Sequence, residues 1–400
     1  MNKTLKRILR FVLFAGLALL GVFVGLYAVI AIRYTPGYAY REFFMDIGSP
    51  YDYRILPQRQ LSASSDPFIF AEDSSKEALV QEIFQRNPLI KNLDGFLKDT
   101  GTQAFLVIQS DKLIYERYFM GYQRNSIVTS FSVAKSFDSA LVGIAIQEGL
   151  IKSVNDPITD YIPELSARDT RFNDIQIRHL LMMASGLRYD SGRFISFGDD
   201  NLTSGFDNLR HLALTETEIT EKPGTAFLYN NYNPLLLGLI LERVTGMPVT
   251  MYLQQKIWTP LEMEFDGSWN LDAEENGFEK METGINARAI DFAKLGRLYL
   301  HQGNWNGDQI IPSDWVEDST ADNGIIKDAP IYYGYMWWGE TCNSESKDFL
   351  ATGDYGQFIY VSPAKNLIIV RNGENYGVES SGEEWVVWAD AFCQFAKSLP

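Results

Sequence analysis

The chain has 400 residues, 46% hydrophobic and 22% charged, with no low-complexity tract, a balance that fits one large globular domain or two smaller ones. Its net charge is −16, and residues 1–33 contribute only basic side chains, so the remainder is more acidic still. That excess argues against nucleic acid or anionic lipid as a partner.

Lys3, Lys6, Arg7 and Arg10 precede an uncharged run from Phe11 to Ile32, closed by Arg33. As a helix, those 22 residues are long enough to cross the ~30 Å hydrocarbon layer. A cleavable signal peptide has a shorter apolar region, about 7–15 residues, and a small-residue cleavage site. This run instead ends Ala28-Val29-Ile30-Ala31-Ile32. The expectation is an uncleaved signal anchor over residues 1–33, crossing the inner membrane through residues 11–32. The basic flank then stays cytoplasmic and the rest lies in the periplasm or outside the cell. There Cys342 and Cys393 can pair as a disulfide or remain separate buried thiols. No Cys-x-x-Cys or Cys/His cluster points to a metal, and no organic cofactor is implied.

Residues 34–75 lack steady periodicity and read as a linker and lead-in that packs against the domain, which occupies 76–400. A helix is expected over Lys76–Phe84, then a hairpin of Gln103–Gln109 and Leu113–Phe119 around Ser110-Asp111-Lys112. Next comes Thr129-Ser130-Phe131-Ser132-Val133-Ala134-Lys135, opening an apolar helix that reaches Ile151. Ser132 and Lys135 are three apart and share a helix face. A helix apolar on most sides is buried. Burial and the positive helix end both disfavour an ammonium ion, so Lys135 reads as a neutral amine within reach of a hydroxyl, a general base beside a nucleophile. Alone, Ser-x-x-Lys also fits an ordinary helix start with a snorkelling lysine.

From residue 151 to 325 the pattern is mostly helical. One helix is expected from near Asp174 to Met183, and another from Asn233 as cap, with Pro234 at its first position and Gly246 past its end. A third should run from Asn286 as cap through Leu300 to Gly303. Strands return at Tyr332–Gly339, Phe349–Ala351, Gln357–Val361 and Leu367–Arg371, and an apolar helix over Glu383–Ala396 closes the chain. Strands at both ends (76–150 and 326–400) around a helical insert make an α+β layout, with an active-site cleft between the two parts.

Two further stretches carry chemistry. In Tyr229-Asn230-Asn231, a phenol and an amide two apart in an extended segment face one side, although a turn ending in a helix cap explains them equally. In Ala351-Thr352-Gly353-Asp354-Tyr355-Gly356-Gln357, glycines before an apolar strand let backbone approach a ligand and offer an N–H to an oxyanion; a tight strand connection is the alternative. Ser132-Val-Ala-Lys135, Tyr229-x-Asn231 and Ala351-x-Gly353 resemble, in this order, the three motifs of serine hydrolases with the class C β-lactamase fold. The resemblance covers roughly 68–400 and includes Ile177-Arg178-His179-Leu180-Leu181, Pro223-Gly224-Thr225, Gly284-Ile285-Asn286-Ala287 and Gly356-Gln357-Phe358. The Ala-x-Gly and Gly-Gln forms are most similar to the esterase and 6-aminohexanoate-dimer hydrolase branch.

The resemblance implies a β-lactamase/transpeptidase-like fold, an antiparallel sheet flanked by helices, and an acyl-enzyme mechanism on a small-molecule ester or amide. By it Ser132 is the nucleophile, Lys135 with Tyr229 handles its proton, and Asn231 positions the substrate. The strand at Gly353 and the N–H groups of Ser132 and Asp354 form the oxyanion hole. Where β-lactamases and penicillin-binding proteins carry Lys or His, this chain has Ala351, which removes a group for a substrate carboxylate. A D-amino-acid peptidase or weak β-lactamase of the cell envelope is the narrower rival, and a catalytically silent binding protein the broader one. A Ser-His-Asp triad would need His179, His211 or His301, none of which has a companion motif, and no Gly-x-Ser-x-Gly elbow is present. Tyr189 is a candidate pocket residue or an ordinary loop aromatic. Trp337 and Trp338 read as sheet core, with one of them a candidate to face substrate.

Overall fold

A computed structural model describes residues 3–192, 197–327, 329–340, 347–378 and 384–400. The expected hairpin forms from Thr102–Gln109 and Lys112–Tyr118. It turns at Ser110 and Asp111, whose φ of 51° and 59° match the twist of the flanking strands. Around it an eight-stranded sheet assembles, in the order Ile331–Tyr333, Trp338–Glu340, Phe349–Gly353, Gln357–Ser362, Leu367–Gly373, Thr102–Gln109, Lys112–Tyr118, Ala71–Glu72. Neighbours are antiparallel except Ala71–Glu72, which runs parallel to Lys112–Tyr118. The two ends of the chain meet where Leu367–Gly373 pairs with Thr102–Gln109. The single strand expected over Tyr332–Gly339 is two strands, because Gly334 N–H donates to Trp337 O (2.8 Å) and Met336 takes φ 60°, turning the chain.

Side chains alternate between the sheet faces. Phe105, Val107, Phe358 and Tyr360 pack with Val80, Phe84, Trp388 and Phe392 from the helices Glu77–Phe84 and Glu384–Ser398. Leu106, Ile108, Ile359 and Ile368 face the larger core, beneath the helices Ala134–Gln147 and Ala289–Leu300. Gly296 lets the second of these lie close, since a Cβ there would sit 2.9 Å from Ile359 and Ile368. Cys393 is buried in the C-terminal helix, and Cys342 lies outside the described residues.

The inserted region departs from expectation in four places. The helix expected over Asp174–Met183 is a 3-10 segment, Thr170–Asp174, followed by the short helix Ile177–Leu181. The next runs Tyr232–Thr245 with Asn231, not Asn233, at its cap. Asn233 is buried, its side chain accepting from Ser185 Oγ (2.7 Å), while Asn230 Oδ1 accepts Tyr232 N–H (2.8 Å). Asn286 does not cap a helix: its amide donates to Asn270 Oδ1 (2.8 Å) across a strand pair, and the helix begins at Ala289. Lastly, a second four-stranded sheet, ordered Gln58–Leu61, Gly267–Asn270, Ile285–Ala287, Val128–Thr129, draws its two middle strands from what reads as helical sequence. Gly246 and Gly303 sit past their helices at φ 66° and 78°, as expected.

Lys3–Arg33 is one helix, long and apolar enough to cross a membrane. Thr35 caps the next, Pro36–Phe44, accepting from Tyr38 N–H (2.9 Å). That helix is fastened inward by Thr35 Oγ1 to Asp207 (2.6 Å) and by Arg41 to the carbonyls of Gly205 (3.2 Å) and Phe206 (3.1 Å).

Candidate active site

The turn before Ser132 is fixed by the second sheet. Val128–Thr129 pairs with Ile285–Ala287, Ser130 N–H donates to Ile285 O (2.8 Å), and Ser130 Oγ accepts from Ile285 N–H (3.0 Å). Phe131 is held at φ 42°, a region unusual for an aromatic residue, with its ring on Tyr355 (4.9 Å). Ser132 lies in the 3-10 turn Phe131–Val133, and the helix Ala134–Gln147 follows without a break. One turn on, Lys135 is only 1% exposed. Its Nζ lies 2.8 Å from Ser132 Oγ and 2.9 Å from Glu282 O, and 4.9 Å from the centre of the Tyr229 ring.

Among the described residues, Lys135 makes no ion pair. The carboxyl of Asp138, on the same helix, is fully buried with neither oxygen hydrogen-bonded among the described residues. Burial first, then Glu282 and Glu279, push its pKa well up against the pull of Lys135. The amine thus meets a hydroxyl, a carbonyl and a ring face.

Tyr229 stacks on Trp338 (6.0 Å, 23°) and meets Tyr333 edge-on (6.1 Å). Asn231 does not continue an extended segment, since its backbone is already helical at φ −74°, ψ −13°. Its amide donates to Tyr189 Oη (2.9 Å), which in turn donates to Asp200 Oδ1 (2.6 Å). Burial and Asp200 push the Tyr189 hydroxyl pKa well up, so it stays a donor.

Gly353 ends the strand Phe349–Gly353 directly against the Ser132 turn: a Cβ there would lie 2.8 Å from Ser132 N and 2.6 Å from Ser130 O. The next residues turn sharply, Tyr355 at φ 63° and Gly356 at φ 80°. Buried Arg371 pins this turn, donating to Gly356 O (2.7 Å), Thr100 O (2.8 Å) and Asn375 O (3.0 Å).

Ser132, Tyr189, Tyr229, Asn231, Gly353 and Asp354 all line one cavity of about 1160 Å³, with Lys135 behind Ser132. Trp338 lines it too, whereas Trp337 is 0% exposed in the core. Missing from the sequence reading is a wall contributed by the lead-in, through Arg41, Glu42, Met45, Ile47, Gly48 and Asp52. Aperiodic sequence gave no sign of it. Lys280 and Glu282, paired at 3.0 Å, were also missed; their only signal was the charged run before Gly284-Ile285-Asn286. All three histidines are described and none lines the cavity. His179 instead closes a capping box, its Nδ1 accepting from Gln176 N–H (3.1 Å).

A sheet closed by both chain termini, a helical insert, and a serine-lysine pair at their junction define the β-lactamase/transpeptidase-like fold. The Beta-lactamase family model matches residues 89–375, and the chain belongs to that family. It is 26% identical over 300 residues to 6-aminohexanoate-dimer hydrolase of Paenarthrobacter ureafaciens, covering 70% of this chain and 75% of that one. A solved structure from Bacillus anthracis, provisionally named a 6-aminohexanoate-dimer hydrolase, superposes with TM-score 0.76 at 26% identity over 88% of this chain and 94% of its own. A class C β-lactamase in complex with cefoxitin shares the fold at TM-score 0.60 and 16% identity, over 81% and 100% of the two chains.

Proposed function

We propose that this protein is a serine hydrolase that cleaves an ester or amide through an acyl-enzyme on Ser132. The observation that carries the reading is the 2.8 Å contact between Lys135 Nζ and Ser132 Oγ, beside a strand end that approaches Ser132 N. The Lys135 amine is placed to take the Ser132 proton as Oγ attacks the carbonyl. The N–H groups of Ser132 and Asp354 meet the oxyanion, Asn231 positions the substrate, and Tyr229 beside the amine passes the proton to the leaving group. Water then attacks the acyl-serine and releases the acid. Ala351 supplies no cation, and the cavity's Arg41 and Lys280 are already taken by carbonyls and by Glu282, so a substrate carboxylate is poorly served and a penicillin or D-peptide fits less well. Residues 1–33 remain as a signal anchor, with the hydrolase outside the cytoplasm.

The test is hydrolysis of a p-nitrophenyl ester. Ser132→Ala is expected to lose about three orders of magnitude in kcat, and equal turnover in both proteins leaves only a binding protein. Strong labelling of Ser132 by a fluorescent penicillin would favour the peptidase reading.

A further inference from the structure

The helix Pro36–Phe44 does two things at once. Arg41 and Glu42, with Met45 and Ile47 just beyond it, line the cavity. Phe43 and Phe44 fold back along the N-terminal helix, meeting Phe23 at 4.9 and 6.0 Å and Tyr27 at 5.8 and 6.4 Å. The junction is built in: Ile30 is 3% exposed, and Tyr27, Ala31 and Phe43 pack against the main core. Yet Tyr40 and Phe44 stay 54% and 59% exposed, their rings tilted against each other at 5.3 Å, and Phe197 lies beside Tyr34 at 42% exposure.

Depth follows from helix geometry. A hydrocarbon layer that starts after Arg10 and takes about 20 residues ends near Ile30, so Phe23 lies about 10 Å inside it at 1.5 Å per residue. Rings in contact with Phe23 and Tyr27 therefore enter the same leaflet, the depth at which an interfacial helix buries its apolar face. Tyr27, Tyr34 and Tyr40 make the aromatic collar expected at that boundary.

We infer that the cavity is held against the outer leaflet and takes its substrate from it: a long-chain acyl ester or amide resident in the bilayer, uncharged at the scissile end. This rests on the hydrolase and anchor readings above. The guanidinium of Arg41 is occupied by carbonyls and Lys280 by Glu282, while Glu42 and Glu384 in the wall disfavour an anionic head group. Ser132 Oγ forms the ester to the acyl carbon as the bond to the alcohol or amine breaks and that group takes a proton. Water then frees the fatty acid and restores Ser132.

The experiment uses the full chain in phosphatidylcholine vesicles carrying 4-methylumbelliferyl palmitate, with 4-methylumbelliferyl acetate added from water. Tyr40→Asp and Phe44→Asp are expected to cut palmitate hydrolysis about ten-fold or more and leave acetate hydrolysis within about two-fold, while Phe44→Leu keeps both. Unchanged palmitate rates in both Asp variants, or a parallel fall on both esters in the exposed variant Tyr40→Asp, overturn the proposal. A wild type inactive on both esters removes the hydrolase reading instead, and one stripped from vesicles by carbonate removes the anchor; either result also ends the proposal.

Discussion

Gly353 shows how little room the site leaves. An added methyl would stand 2.6 Å from Ser130 O and 2.8 Å from Ser132 N, both backbone atoms in a turn tied to the second sheet. Gly353→Ala is therefore expected to cost about 1–3 kcal/mol in chemical denaturation and to lower kcat by more than ten-fold, as strand and turn part. Asp138 gives the opposite expectation. Burial pushes its carboxyl toward the neutral form, and the amide keeps the shape, so Asp138→Asn should leave turnover within about three-fold and stability within about 1 kcal/mol. A collapse of either quantity would mean the group is ionised and paired with Lys135. The residues at this scale were the most legible ones, because Ser132 with Lys135 is a local spacing that a helix turns into contact. The carbonyl of Glu282, which holds the same amine, was not legible, since only the tertiary fold brings it there.

Among the elements, the short helix Ile177–Leu181 depends on His179 in its neutral form. Burial, with Arg178 adding to it, lowers the His179 pKa from 6.5 to about 4. The folded state thus binds fewer protons than the unfolded one between those values. Its contribution is present above pH 6.5, declines as pH falls below that, and is gone below about 4. His179→Gln keeps an acceptor for the Gln176 N–H without titrating, so its Tm should fall less than that of the wild type between pH 7 and 5. Equal acid sensitivity would remove His179 from the account. Strands and helices with strong periodicity were readable, the hairpin around Ser110 and the C-terminal helix among them. The Asn residues misled because an amide serves equally as a cap, a cross-strand bridge or a core link. The Asn231 amide reaches Tyr189 in the cavity, Asn286 bridges two strands and Asn233 links into the core.

Over the whole molecule, residues 34–75 change what the cavity is. Their helix and the residues just after it give it a wall and tie it to the apolar helix, so the domain and the N-terminal helix share one packed junction. Removing such a leader would expose Phe43 and the site of Ile30. The wild type is therefore expected to stay in the membrane fraction after carbonate washing and to show an N-terminus at the start of the chain; a start well beyond residue 33 would mean cleavage. Composition announced the apolar helix, but its docking depends on aromatic contacts that no periodicity reveals.

The pairing of Leu367–Gly373 with Thr102–Gln109 also sets a timetable. During synthesis the earlier strand leaves the ribosome with one edge open and must wait for nearly all the remaining polypeptide before its neighbour emerges. An open edge of that kind is a template for aggregation. Premature stop codons before Leu367 should accordingly yield insoluble fragments rather than a smaller working enzyme, and the nascent chain is a natural client for holding chaperones.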